Sequence, residues 1–593
     1  MGLDGGRMSA HSWARWAVCG WMLAGLAAAC LVPGSQAGAA AGRPGSVLPV
    51  AAAASGFGVS APLRSLAASR MRPAAGAPYS LPKLSLPQDA ASAPTAAPAA
   101  PDAVLQAPAP LGAMPATIDN FDGLRNLSSV IPPDPDGAIG YDPATGKKYY
   151  VEFINLIYAV WDVTAAPARV VGPLSGNAIF SGLGSPCATE GQGDPVALYD
   201  KSAGRWFLSQ FAFTFDSSGN PAPPFTQCIA ISQTGDPTGA YYLYAFPWAN
   251  GSGVMNDYPK FGVWRDGYYM SANQYSGTAW AGAGVAAFER AKMLVGDPTA
   301  RMIYFNLYNA SPNYGGLLPA DQDGSTPAPP GAPEVFAEVD SSPAPRLSLW
   351  NFSANWSSPA ASSFGSRLAP SQLLAVAAFT PLPCTTTIPP STSCIPQPGG
   401  APLLDGVGDR LMYRLAYRNF GGYQSLVVNH TVVADGADRA GIRWYELRST
   451  GGSWSLYQQG TFAPQDGNYR WMGSAAMDRN GDLAVGYSIS SLSLYPSIRY
   501  AGRLASDPLG SLAQGEAAIV SGSGSQGSSL HRWGDYSLLS IDPQDDCTFW
   551  YVQEYYPANS QAGWQTRIAS FRFPSCEAPP AGAVRVYLPL VQR

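Results

Sequence analysis

The stretch GDPVALYDKSAGRWF, residues 193–207, carries the reading of the whole chain. Asp194 opens a short apolar run, Val196-Ala197-Leu198. Asp200 closes it, a tight turn follows, and the chain re-emerges as an aromatic run at Trp206-Phe207. The phrase recurs as DGAIGYDPATGKKYY from Asp136, DYPKFGVWRDGYY from Asp257 and GDYSLLSIDPQDDCTFW from Gly534. A fifth copy, WMGSAAMDRNGDLAV from Trp471, lacks the first aspartate. Recurrence at roughly 60 residues predicts a modular β architecture. The apolar run suits an innermost strand. The second aspartate sets a hairpin turn through an Asx-type bond to its own backbone, and the aromatic run is the next strand. The expected fold is all-β, a β-propeller of about seven (six to eight) four-stranded blades, an arrangement that leaves only short sheet edges.

Composition agrees with an extracellular β-protein. Of 593 residues 13% are charged, against 64 Gly, 55 Pro, 30 Tyr and 16 Trp, so the surface must be built from small polar and aromatic side chains. The net charge of -5 is mild, and no basic stripe with interleaved aromatics exists, which excludes a nucleic-acid partner. Arg7 and Arg15 precede an apolar run from Trp16 to Val32, with small residues at Ser35-Gln36-Ala37, so residues 1–37 read as a signal peptide. Lipidation at Cys30 is the alternative. Residues 38–117, dominated by Ala, Pro and Ser, read as a disordered linker. Residues 118–576 are the propeller. Residues 577–593 are a tail ending in VRVYLPLV, either a sorting tag or one more edge strand. No later run is apolar enough to span a membrane. The mature chain is expected as a monomer, secreted or on the surface of a bacterium.

Two Pro-rich stretches, Leu318–Pro333 and Pro381–Pro402, read as insertions between strands, and Ser371–Phe379 as a short helix or a strand. Beyond the signal, six cysteines remain, an even number in an oxidising compartment. Six allow fifteen connectivities. Pairing neighbours in sequence gives Cys187–Cys228, Cys384–Cys394 and Cys547–Cys576. CxxC spacing for zinc is absent.

The phrases from Gly193, Asp257 and Arg532 (RWGDYSLLSIDPQDDCTFWYVQEYY) resemble those of exported bacterial β-propellers, a family loosely related to sialidase-like and BNR-repeat proteins. The resemblance covers most of residues 118–576 and implies fold and export. The chain departs from the sialidase pattern. Met477-Asp478-Arg479-Asn480-Gly481 lacks the serine of an Asp-box, and no Arg-Ile-Pro motif is present.

The first aspartates are the candidates for function. Standing at the starts of innermost strands, they would meet around the central channel. Asp136, Asp194, Asp257 and Asp535 would form a carboxylate ring, joined by Asp405 or Asp409. Crowded carboxylates need a cation, protonation or backbone donors, and hard oxygen ligands suit calcium. Each aspartate capping local amides is the alternative. Asp134-Pro135-Asp136-Gly137 and Asp321-Gln322-Asp323-Gly324 look like calcium-loop fragments but lack the distal Glu, and the second reads as a solvated turn. Only His430 and His531 follow the signal, which disfavours a Ser-His-Asp triad or a His-rich metal site.

Recognition of an extracellular polysaccharide or glycoprotein is the expected function. Glycoside hydrolysis, sialidase-like or arabinanase-like, is the enzymatic alternative, with Asp257, Asp535 and Glu554 as the carboxyl groups. Tyr258, Trp533 and Tyr536 would stack on sugar rings, and Arg532 would bind a carboxylate. A structural cell-surface role is the third reading.

Overall fold

The computed structural model describes residues 48–66, 79–80, 86, 101–108, 112–184, 186–341, 344–381, 393–435 and 439–576. The expected signal peptide and C-terminal tail lie outside the described residues. Antiparallel meanders follow one another along the chain in a propeller-like all-β fold. Sheets 1 to 3 begin with the innermost strands Asp136–Tyr141, Gly191–Asp200 and Met255–Val263. Sheets 4 and 5 begin with Leu318–Asp323 and Met412–Asn419, and sheets 6 and 7 with Tyr469–Met477 and Leu538–Ile541. These innermost strands pack against one another in order, and the last meets the first. The strand Asn120–Arg125, from before sheet 1, pairs with Gln565–Phe571 and completes sheet 7. The ring is therefore closed by hydrogen bonds between a strand that precedes sheet 1 and the last strand of the sheet 7 meander.

The recurring phrase folds as its pattern requires. In sheet 2, Val196-Ala197-Leu198 pairs with Phe207-Leu208-Ser209 in antiparallel register. Three of the second aspartates make the expected Asx bonds: Asp142 accepts from Ala144 N, Asp200 from Ala203 N and Asp542 from Gln544 N, while Asp266 accepts from the Tyr269 hydroxyl instead. Trp206 is buried and donates its indole N–H to Gly235 O, closing one sheet onto the next turn.

Two segments depart from expectation. The stretch from Leu318 is no insertion, since Leu318–Asp323 is the innermost strand of sheet 4. Its Ala320–Asp323 half pairs in parallel with Leu415–Arg418 of sheet 5, which joins the two sheets. Inner strands all run the same way and crowd toward the axis. At Gly262 a Cβ would collide with the Ala320 carbonyl, so only glycine lets the strands approach. Asp321 and Asp323 form no solvated turn: both pair with Arg414, which is 1% exposed. Gln372–Ala375 is a strand, pairing with Arg346–Leu349.

The second departure concerns residues 38–117. Val50–Ala53 adds to sheet 3 against Arg301–Tyr304, and Gly56–Val59 adds to sheet 2 against Tyr242–Ala245. Leu63, Leu86 and Asp102 are buried. Compositional reasoning looks for a core face, whereas an edge strand needs only backbone donors and acceptors, which Ala and Gly supply as well as any residue.

The Cys187–Cys228 and Cys547–Cys576 disulfides are present, with Cα atoms 5.8 and 5.6 Å apart. Cys384 lies outside the described residues. Among the described residues no helix is long and apolar enough to cross a membrane.

Candidate functional site

The innermost strands begin irregularly. Register breaks between Gly193 and Val196, Asp257 and Lys260, Met412 and Ala416, and Trp471 and Ser474. Asp134, Asp194, Tyr258 and Met472 hold positive φ angles of 46°, 44°, 55° and 55°. Such conformations cost non-glycine residues of order 1–3 kcal/mol each, and surrounding contacts must hold them. Here the contacts run between sheets. Asp136 accepts from Ala197 N (3.1 Å), Asp194 from Tyr258 N (2.9 Å), Asp321 from Val263 N (3.0 Å) and Asp134 from Asp535 N (2.7 Å). Where an aspartate is missing, Thr431 and Ser474 hydroxyls accept from Met472 N and Leu539 N. The aspartates thus bond backbone amides, though of the adjacent sheet and not their own turn.

Four carboxyls gather at this end: Asp134, Asp194, Asp257 and Asp535. Asn155 bridges two of them, donating its amide to Asp134 and accepting from Asp194 N. Burial, then repulsion from Asp257, pushes Asp194 up to about 7. Burial, then Asp535, does the same to Asp257, also to about 7. Asp134 is raised well above the carboxylate range, first by burial and then by Asp535. Asp257 is half-buried, and no protein donor among the described residues reaches its oxygens. Asp535 is gripped by Arg532, whose Nη2 lies 2.6 Å from each carboxyl oxygen.

Beneath the carboxyls sits Lys260, which no feature of the recurring phrase singled out. It is fully buried, with Nζ 3.5 Å from the Tyr536 ring centroid and 3.8 Å from that of Tyr258. Burial brings its pKa down to about 8 against the attraction of Asp194, Asp134, Asp136 and Asp535. Arg410, ion-paired with Asp409 at 2.7 Å, covers Tyr258 at 4.7 Å. A lysine inside an otherwise apolar innermost strand was the available signal for this centre. Asp134 was legible only as part of a calcium-loop fragment.

The expected site residues divide. Asp194, Asp257, Asp535, Tyr258 and Arg532 come together. Asp136 lies deeper, with Oδ2 buried and unpartnered. Among the described residues no three acidic, His or Cys side chains converge on a point that holds a metal, and Lys260 and the arginines balance the charge instead. Four assignments are corrected. Tyr258 is buried with Lys260 and Arg410 over its ring, so it offers no face to a sugar. Glu554 is fully buried, accepts from Gly534 N and is held well above the carboxylate range by burial, so no substrate reaches it. Trp533 is fully buried between Trp471 and Tyr556, with ring centroids at 5.8 and 5.7 Å. Tyr536 is fully buried under Lys260 and donates to Pro195 O. Neither ring has a face for a sugar, because the segment leading into the first strand of sheet 7 packs both against neighbouring side chains.

The raised carboxyls predict a pH dependence. Asp194 and Asp257 at about 7, and buried Glu152 at about 8, bind protons in the folded chain that the unfolded chain has released by about pH 5. Their contribution is full below the unfolded pKa of about 4 and is lost as pH rises through the folded values. His430 opposes this. Burial, then Arg443, holds it well below its ordinary value, so its contribution is lost as pH falls through about 6.5. The carboxyls outnumber it. Calorimetry should give a melting temperature several degrees higher near pH ~5.5 than near pH ~8.5, and the reverse order would mean that these carboxyls are ionised in the folded chain.

Fold and site together define a propeller-like all-β protein with a strained, partly protonated acid–base cluster at the starts of its innermost strands. No family model and no curated protein matches the sequence. Among solved structures, the chain is similar to a PL25 ulvan lyase, described as a new polysaccharide lyase family. Identity is 10% over 77% of this chain and 94% of that one, with a TM-score of 0.33. A GH43_1 enzyme from Xanthomonas citri is 12% identical over 60% of this chain and 96% of its own (TM-score 0.26). An α-L-arabinanase from Penicillium chrysogenum, complexed with arabinobiose, is 8% identical over 64% and 92% (TM-score 0.25). Likenesses this loose transfer neither detail nor activity.

Proposed function

We propose that the chain is an exported, seven-bladed β-propeller that recognises an extracellular carbohydrate at the mouth of its axis. The observation that carries this reading is the half-buried Asp257 carboxyl, without a protein donor among the described residues, beside the Asp535–Arg532 pair. Sugar hydroxyls donate readily to carboxyl oxygens, and such bonds contribute about 1.5–3 kcal/mol when the acceptor is charged. The disulfides support export into an oxidising compartment.

Glycoside hydrolysis is the second reading, favoured by the pairing itself. Asp257, raised to about 7, still carries a proton near neutrality and suits a general acid, while ion-paired Asp535 suits the nucleophile or base. A glycan array followed by a reducing-sugar assay separates the two. Wild type is expected to retain glycans, and Asp257→Asn to lose at least about tenfold in affinity with its melting profile kept. If sugar is released by wild type and not by Asp257→Asn or Asp535→Asn, the hydrolase reading stands. Equal glycan binding by wild type and Asp257→Asn, or none by wild type, would remove the mouth as the site.

A further inference from the structure

At the opposite, turn-bearing end of sheet 5 an arginine is clamped between two tyrosine rings. The Arg448 guanidinium carbon lies 3.5 Å from the Tyr457 ring centroid and 4.3 Å from that of Tyr423. Tyr423 is itself stacked on Phe420 at 4.7 Å with an interplanar angle of 18°. A register break places Tyr457 there. Gln458 pairs with Glu446 and Leu456 with Leu447, so Tyr457 is the extra residue of a bulge, a device that re-aims a side chain. Below, fully buried Glu446 takes Arg448 Nε at 2.5 Å and is fixed by Gln458 Nε2.

Only Nε of the guanidinium is used. No acceptor among the described residues takes Nη1 or Nη2, and 25% of the side chain is open to solvent. An arginine normally loses about 2 kcal/mol of rotamer entropy when a ligand fixes it. Two rings and a buried carboxylate have already removed that freedom here, leaving a rigid edge of N–H donors. Such an edge matches the paired oxygens of a carboxylate or sulfate. Tyr457 is 40% exposed, which leaves ring surface beside the donors. Around it Gly421, Gly422, Gly451 and Gly452 have open space where a side chain would stand, so the rim is low and admits an extended chain.

We propose that Arg448, held between Tyr423 and Tyr457, is a binding site for the carboxylate or sulfate groups of an acidic polysaccharide. The site is separate from the Asp257 mouth and does not depend on it. Titration calorimetry with the full chain at ~20 mM salt, where surface charge is little screened, would use polygalacturonate, dextran sulfate, neutral dextran and polyglutamate. Polygalacturonate or dextran sulfate should bind, and which of them binds identifies the oxyanion. Arg448→Met should weaken binding at least about tenfold, and Arg448→Lys severalfold, since an ammonium cannot fork. Tyr457→Ala should weaken it too, by freeing the guanidinium. Failure of both acidic polymers to bind, equal binding by neutral dextran or polyglutamate, or unchanged affinity in Arg448→Met with a retained melting profile would each overturn the proposal.

Discussion

Arg443→Met is expected to lower the unfolding free energy by about 3–5 kcal/mol, because it strands a buried carboxylate. The side chains of Arg443 and Asp102 are both 0% exposed, and one guanidinium nitrogen meets both carboxyl oxygens, at 2.6 and 2.5 Å. Thr461 donates to the same carboxylate, and Arg443 also reaches Ala377 O and Ala378 O. One side chain thereby ties the N-terminal segment and the chain leaving sheet 4 to sheet 5. Asp102→Asn combined with Arg443→Met should recover part of the loss, since removing both charges leaves nothing ionised to desolvate. Urea unfolding followed by tryptophan fluorescence measures both variants. A single variant as stable as wild type would mean that the segment around Asp102 is not docked in solution.

The second large effect is expected at Lys260. Lys260→Met removes the cation shared by Asp134, Asp136, Asp194 and Asp535. Breaking a buried pair by deleting one partner costs about 3–5 kcal/mol, and the largest loss is expected between pH ~7 and ~8, where carboxylate and ammonium are both charged. At lower pH the destabilisation shrinks. Asp194 already titrates at about 7 with the ammonium present, and without it the carboxyls hold their protons to still higher pH. Near pH 5 Asp134, Asp136 and Asp194 then carry protons and need the cation less, so the variant should approach wild-type stability. Melting curves of wild type and Lys260→Met across this range test the coupling. A destabilisation independent of pH would assign Lys260 a packing role between Tyr258 and Tyr536 and no electrostatic one.

These two centres differ in how far they could be foreseen. The mouth was legible in outline, because the first aspartate of each phrase occupies a fixed place relative to its strand. Its chemistry was not. Lys260 belongs to one copy of the phrase only, and its partners come from sheets 1, 2 and 7. The Asp102–Arg443 lock was invisible, since it joins residues 341 apart in sequence across a stretch whose composition reads as linker. Trp533 and Tyr536 illustrate the opposite error. Aromatics beside acidic residues suggest a sugar platform, but which face of a strand is covered depends on the sheet laid against it.

By itself the sequence determined the local events: the short strands, the Asx turns at Asp142, Asp200 and Asp542, and two cysteine pairs between neighbours in sequence. Each is decided by contacts within a few tens of residues, where side-chain alternation and turn chemistry act directly. Tertiary structure alone decided that Asn120–Arg125 closes sheet 7, that Val50–Ala53 and Gly56–Val59 edge sheets 3 and 2, and that aspartates bond amides of adjacent sheets. It also decided which carboxyls keep a proton, because that depends on burial and on the summed field of residues that only the closed ring brings within reach.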